Sequence, residues 1–381
     1  MKGKAGVYLH IPFCKSRCGY CDFYSNACAD PASLTAYADA LCSTIRTESP
    51  GIEADTVYFG GGTPSLLGVQ GLTDVLQAVR ESFELSHEAE ITLEANPGDI
   101  CLNPADGGAD AARAFEALRR AGFNRLSLGV QSSDDGELRM ISRRHTFADV
   151  KKTVNLAREA GFDNISLDLI YALPDQTMQI WQRSLDALIG LSPEHMSCYA
   201  LKLSEEVPLY RYIDRLPDDD TQLAMYLTMV ETLEKAGFEQ YEISNFARPG
   251  RESRHNSKYW TGEDYYGYGP SAHSLIKGVR SVYAPSVEAF LTGDALREED
   301  QVQDETEEYL MLRLRMTAGI DPDDFTARFR LDFTPFARIL QKCEPHGLTV
   351  LRDGRWRLTP RGAFVSNAII SELFVCLDDC R

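Results

Sequence analysis

The amino-acid sequence predicts an α/β fold: a partial (β/α)6 barrel followed by a mixed, winged-helix-like C-terminal domain. Three observations lead there. Six short apolar runs recur at wide spacing, amphipathic helix-like segments separate them, and two of those segments end alike, in Arg120-Ala-Gly-Phe123 and Glu159-Ala-Gly-Phe162. Regular strand–helix alternation reads as a parallel sheet, open or barrel-like. Six units are too few for a full eight-fold barrel. Strand number by itself suits an open doubly wound sheet equally.

The expected strands are Val7–His10, Thr56–Phe59, Glu90–Glu94, Arg125–Val130, Asn164–Ile170 and His195–Leu201. Several are nearly continuous apolar runs, which suits strands covered on both faces. Ser33–Glu48 opens on a Ser cap and carries Leu34, Tyr37, Ala38 and Leu41 at helical spacing. Leu72–Ser82, Ala109–Ala121, Phe147–Ala160 and Met178–Ile189 follow, and a Gly past the last turn is a usual helix stop. The barrel is placed at residues 1–205. Beyond it, Glu205-Glu-Val-Pro-Leu and Pro217-Asp-Asp-Asp220 read as a connection. Asp219–Ala236 reads as a long helix with a third Ala-Gly-Phe end, and Tyr241–Ser274 as a loop rich in Gly and aromatics. Residues 206–381 make up the expected C-terminal domain. Within it, about 305–381 reads as three helices, a ribbon at Thr349–Leu358 turning at Asp353-Gly354, and a last helix: the winged-helix-like module.

The 381 residues are 44% apolar and 25% charged, an ordinary globular composition with length for a sizeable core. Thirty-nine basic against 57 acidic residues give a net charge of −18. That excludes nucleic-acid binding by charge alone, the winged module included, and a polybasic membrane anchor. A spanning helix is ruled out, since no apolar run reaches 18 residues; peripheral membrane contact stays open. The apolar stretch near the start is broken by His10 and Pro12 and lacks the length of a signal-peptide core, so a cytoplasmic location is expected. Of ten cysteines, Cys14, Cys18 and Cys21 lie within eight residues. Cys42, Cys101 and Cys198 read as reduced, buried, small hydrophobes, and no role falls to Cys376 or Cys380.

Cys14-x3-Cys18-x2-Cys21 is the strongest chemical signal. Thiolates at these spacings can converge on one cluster from a loop. A cubane cluster has four irons and usually four cysteine ligands, so three leave one iron open. An open position implies catalysis or ligand binding. Phe59-Gly60-Gly61-Gly62-Thr63-Pro64 follows the second strand, where glycines let the backbone approach a ligand closely and expose N–H and C=O groups. Glu94, Gln131 and Asp168 sit in or just after later strands, where an unpartnered acid is costly. With Arg143 they supply what a zwitterionic, ribose-bearing cofactor needs: acceptors for an amine and hydroxyls, and a partner for a carboxylate.

Tyr8-Leu-His-Ile-Pro-Phe-Cys-Lys-Ser-Arg-Cys-Gly-Tyr-Cys21 resembles the cluster loop of the radical S-adenosylmethionine (SAM) superfamily. Gly60–Pro64 resembles that superfamily's segment for the methionyl amine of SAM. The resemblance extends over nearly the whole chain to the coproporphyrinogen III dehydrogenase family and its HemW branch. Its carriers are Leu128-Gly-Val-Gln131, Asp168-Leu-Ile-Tyr-Ala-Leu-Pro174 and Tyr241-Glu-Ile-Ser-Asn-Phe-Ala247. It implies a radical SAM partial barrel, a [4Fe-4S] cluster on Cys14, Cys18 and Cys21, and SAM. Tyr8, Gly62, Thr63, Glu94, Gln131, Arg143, Asp168 and Ala200 match the family's SAM-contacting positions. The open iron then chelates SAM, and one electron from a donor cleaves it to a deoxyadenosyl radical.

Two places choose the branch. The dehydrogenase carries a further cysteine two residues after the third ligand, where this chain reads Cys21-Asp22-Phe23, and an N-terminal extension for which 13 residues before Cys14 leave no room. His255-Asn256-Ser257-Lys258-Tyr259-Trp260 resembles the haem motif of the HemW branch. A His with nearby aromatics suits axial ligation and packing on a porphyrin face. His255, Asn256, Tyr259 and Trp260 are thus the expected haem contacts, with His273 as a second candidate ligand. The expectation is a haem chaperone passing haem to acceptor haem proteins of respiration. The alternative is oxygen-independent coproporphyrinogen III oxidation to protoporphyrinogen IX, and a radical SAM group transferase is a third reading.

Overall fold

A computed structural model describes residues 4–27, 30–99, 111–301 and 304–380. Cys28, Cys101 and the first two residues of the expected helix Ala109–Ala121 lie outside the described residues. The six expected strands are present: β1 (Ala5–Ile11), β2 (Glu53–Gly61), β3 (Glu84–Ala95), β4 (Arg125–Gln131), β5 (Ile165–Tyr171) and β6 (His195–Ala200). They pair in parallel and in sequence order. Between them run α1 (Pro31–Glu48), α2 (Gly68–Ser82), α3 (Ala111–Ala121), α4 (Asp135–Met140), α5 (Phe147–Glu159) and α6 (Met178–Ile189). The cap of α1 is Asp30, not Ser33: its carboxylate accepts from the N–H groups of Ala32 at 2.9 Å and Ser33 at 3.0 Å. A carboxylate there also meets the positive end of the helix.

After α7 (Asp219–Lys235) the sheet continues. β7 (Glu239–Gln240) and β8 (Asn245–Ala247) extend it beyond β6, the latter antiparallel to it. α8 (Arg254–Thr261) then leads to β9 (Tyr265–Tyr268), which runs parallel beside β1. β10 (His273–Ile276), β11 (Val279–Tyr283), α9 (Val287–Thr292) and β12 (Arg297–Gln301) complete an antiparallel edge. The order is β12-β11-β10-β9-β1-β2-β3-β4-β5-β6-β8-β7, a barrel left open. The stretch Tyr241–Ser274, expected as a loop, therefore holds β8, α8 and β9 with the start of β10. Its strands are three or four residues long, too short for a period to show. The last part comprises α10 (Glu305–Arg315), α11 (Pro322–Phe329), α12 (Thr334–Cys343), the hairpin β13 (Thr349–Arg352)–β14 (Arg355–Leu358), α13 (Pro360–Phe364) and α14 (Ser366–Asp379). Positive φ at both Asp353 and Gly354 makes the expected tight turn of that wing.

Along each parallel strand the two faces differ in chemistry. Val57, Phe59, Leu93, Leu126, Leu128, Leu167 and Leu169 pack outward on Leu72, Val75, Phe115, Val150, Trp181 and Leu185 of the helices. Alternate residues line the inside: Thr56 and Tyr58, Glu90, Thr92 and Glu94, Arg125 and Ser127, Ser166 and Asp168. Both faces are buried, so the runs read as nearly continuous, yet the inner face is polar. The three Ala-Gly-Phe ends act alike: Gly122, Gly161 and Gly237 take positive φ, and Phe123, Phe162 and Phe238 turn back into the core. A second core, from Tyr309 to Leu377, holds the last helices and the wing together.

Candidate cofactor site

The carboxyl ends of β1–β6 surround one cavity of about 530 Å³. Cys14, Cys18 and Cys21 line it from the loop after β1, and Arg143 from the turn after α4. Gly62, Thr63, Glu94, Gln131, Asp168 and Ala200 reach it from the sheet. Seven of the eight expected SAM contacts thus meet the three cysteines. The eighth, Tyr8, is not among the lining residues; its hydroxyl meets His10 Nδ1 at 3.1 Å and its ring lies beside Tyr58.

Burial pushes the Cys21 thiol up, and the neighbouring Cys18 and Cys14 add to this. Thr63 Oγ1 donates to Cys14 Sγ at 3.6 Å and Arg143 Nη1 to Cys18 Sγ at 3.3 Å. Donors aimed at sulfur favour thiolates. Among the described residues no three His, Cys, Asp or Glu side chains converge closely enough to hold a single metal ion.

At the glycine turn the backbone N–H groups are used within the chain. Gly62 N–H donates to Ile11 O at 2.9 Å and Thr63 N–H to Phe13 O at 2.7 Å, while Gly61 N–H serves the Glu94 carboxylate. These N–H groups bind the turn to the cysteine loop. A Cβ on Gly62 would stand 2.6 Å from Phe13 O, so no other residue fits this approach.

Glu94 accepts from Tyr58 O–H at 2.6 Å, and burial lifts its carboxyl to about 7. Burial likewise lifts Asp168 to about 6, against hydrogen bonds from Ser197 and Ser127 and the charge of Arg125. Both carboxyls are partly exposed, to the cavity they line. Two backbone strains shape the rim: Gln131 has φ 72° at a register shift between β4 and β5, and Ser142, just before Arg143, has φ 63°. Arg143 donates to the Gly129 carbonyl and to Asn96 Oδ1. Asn96 Nδ2 in turn donates to Thr63 Oγ1 at 3.0 Å. Asn96, which joins two expected SAM contacts, is a site residue that the sequence reading passed over although it lies two positions after Glu94.

The expected haem contacts lie elsewhere, at the amino end of the barrel. His255 is fully buried. Its Nδ1 meets Thr56 Oγ1 at 2.8 Å, its Nε2 meets Tyr259 O–H at 2.9 Å, and its ring stacks on Tyr58. Burial lowers its pKa to about 3. Glu90 accepts the backbone N–H groups of Arg254 and His255, both at 3.1 Å, and so holds the start of α8. Tyr259 packs edge-on against Tyr265, and Arg315 lies over the Trp260 ring at 4.3 Å. Both imidazole nitrogens are therefore engaged, and iron ligation by His255 requires giving up the bond to Thr56 or to Tyr259. His273 is exposed at the start of β10. Arg254 and Lys258 are paired with Asp55 at 3.0 Å each.

Residues 8–188 match the family model of the radical SAM superfamily, and residues 301–365 that of the HemN C-terminal domain. A Bacillus subtilis protein named heme chaperone HemW is 33% identical over 95% of this chain and 97% of its own. The chain belongs to the HemW family. Proteins of that name from Lactococcus lactis, 36% identical over 86% of both chains, and Escherichia coli, 31% identical over 97% of both, are similar to it. Coproporphyrinogen III oxidase (HemN) from E. coli, a radical SAM enzyme, shares the fold with a TM-score of 0.81. At 23% identity it covers 97% of this chain and 89% of its own. The open barrel with its C-terminal domain is thus the radical SAM fold of this family. Among the described residues no helix is long and apolar enough to cross a membrane.

Proposed function

We propose that this chain is a haem chaperone that binds haem, a [4Fe-4S] cluster and SAM and passes haem to acceptor haem proteins. The observation that carries the reading is end-to-end similarity to several proteins named heme chaperone HemW. The cavity is the second support. Cys14, Cys18 and Cys21 offer soft thiolates that suit a cluster and leave one iron open. When bound, that cluster supplies one-electron reduction of SAM, fed by an external donor. Glu94 and Asp168 accept from the ammonium and hydroxyl groups of SAM, and Arg143 meets its carboxylate. Gln131, Thr63, Gly62, Ala200 and Tyr8 shape the remainder of the seat. In this reading residues 1–205 form the cofactor barrel and 206–381 the family-specific part, with the module at 305–381. The cytoplasm is the place of action, and the −18 charge leaves nucleic acid out of its partners.

Anaerobic reconstitution followed by haem titration and a porphyrinogen assay on one sample tests this. A Soret band that saturates at micromolar haem, without consumption of coproporphyrinogen III, is expected. Turnover of coproporphyrinogen III by protein that binds no haem would replace the chaperone with the dehydrogenase.

A further inference from the structure

Haem is an almost flat, apolar ring with two carboxylates on one edge. Its seat needs exposed aromatic area with cations beside it. The α8 segment offers neither freely: both His255 nitrogens are engaged, and Arg254 and Lys258 are paired with Asp55, Lys258 with Glu263 as well. Trp260 lines a separate cavity of about 240 Å³, less than half the size of the cysteine cavity; Lys277, Arg313 and Arg328 line it beside Glu305 and Glu308, but its aromatic rings, Trp260 and Tyr309, are not exposed.

The opening of the cysteine cavity has the exposed aromatic area that α8 lacks, with cations beside it. Phe23, two residues past Cys21, is 65% exposed, and Tyr199 is 40% exposed. Both line that cavity, with the apolar side chains of Ile170 and Leu201 beside them. Arg17 and Lys202 line it too, and both are exposed. Among the described residues neither makes an ion pair. Asp22 is the one exposed acid lining the opening, so the exposed charges there sum to +1 on a chain of net −18. Exposed cations at this opening give an anion a local attraction on an otherwise acidic chain.

We infer that haem is held at this opening, its face on Phe23 and Tyr199 and its propionates on Arg17 and Lys202. The inference rests on the haem-chaperone reading and moves the seat from α8 to the cluster end of the barrel. The interior of the cavity then serves the cluster and SAM, and the rim serves haem, so that cargo and cofactors meet at one end of the sheet.

The test titrates ferric haem into full-length, anaerobically reconstituted protein and reads the Soret band, with SAM affinity as the check on cavity integrity. Arg17→Glu with Lys202→Glu should weaken haem binding about tenfold or more and remove its salt dependence, as expected for lost charge-assisted contacts. Phe23→Ser should weaken it about threefold or more by loss of stacking area. SAM affinity should hold in both. His255→Gln should bind haem like wild type. Should the double variant not fold, Arg17→Gln and Lys202→Gln made singly each carry the same expectation at smaller size. Wild-type haem affinity in the Arg17, Lys202 and Phe23 variants, with loss in His255→Gln, overturns the inference and returns the seat to α8. Wild-type protein that binds no haem overturns the chaperone reading itself, a different result from a seat in the wrong place.

Discussion

Glu94 and Asp168 decide the acid chemistry of the cavity, and their burial gives it a pH dependence. A carboxyl accepts a hydrogen bond from the SAM ammonium as carboxylate, and burial holds Glu94 at about 7 and Asp168 at about 6. SAM affinity should therefore rise with pH through this window and release protons on binding. Calorimetry at pH 6 and 8 checks it, and Glu94→Gln should flatten the difference. Asp168→Ala should weaken SAM binding by about 1–3 kcal/mol if its hydrogen bond is buried; unchanged affinity with the fold intact moves the site elsewhere. Wild type is expected to hold about four irons per chain; Cys14→Ser, Cys18→Ser and Cys21→Ser should each abolish them, while Cys42→Ser, a buried free thiol, should not. Full iron in Cys18→Ser contradicts the cluster assignment. These residues were legible in the sequence because each breaks a local rule: three cysteines within eight residues, and acids inside apolar strands. Asn96 and Arg125 break none in one dimension. Asn96 follows Glu94 like an ordinary turn residue, and Arg125 opens a strand, yet it is fully buried against Glu90 and Asp168.

At the scale of elements, α8 closes the amino end of the barrel. Glu90 receives two N–H groups from its first turn and faces Arg125. Glu90→Ala leaves those two donors unpaired and takes one of the acids from beside the buried Arg125, and should cost about 1–3 kcal/mol in denaturant unfolding. His255 adds a pH signature. Its folded pKa, about 3, lies below the ordinary histidine value, so the unfolded chain takes up the proton first as pH falls. Its contribution is present above about 6.5 and declines below it. The stability gap between wild type and His255→Gln should shrink from pH 7 to pH 4; a gap that widens contradicts the buried neutral imidazole. Helices were the most legible elements. Met178–Ile189 has the expected bounds, and each Ala-Gly-Phe end is a left-handed stop. The strands after residue 238 were not, because they are held by pairing with β1 and β6 across more than 40 residues, a relation that local pattern does not show.

Over the whole molecule, one open sheet carries the cofactor end and a separate core carries the last helices and the wing. They meet where Arg315 of α10 lies over Trp260 and pairs with the buried Glu242 at 2.7 Å. Arg315→Ala strands that carboxylate and should destabilise the chain by about 3–5 kcal/mol, with SAM affinity retained in the folded fraction. The claim that the cargo of the cofactor end is haem is tested most directly by titrating haem into the anaerobically reconstituted wild-type chain. A Soret band that saturates near one haem per chain at micromolar concentration is the predicted result, and a spectrum that does not move as haem is added contradicts it.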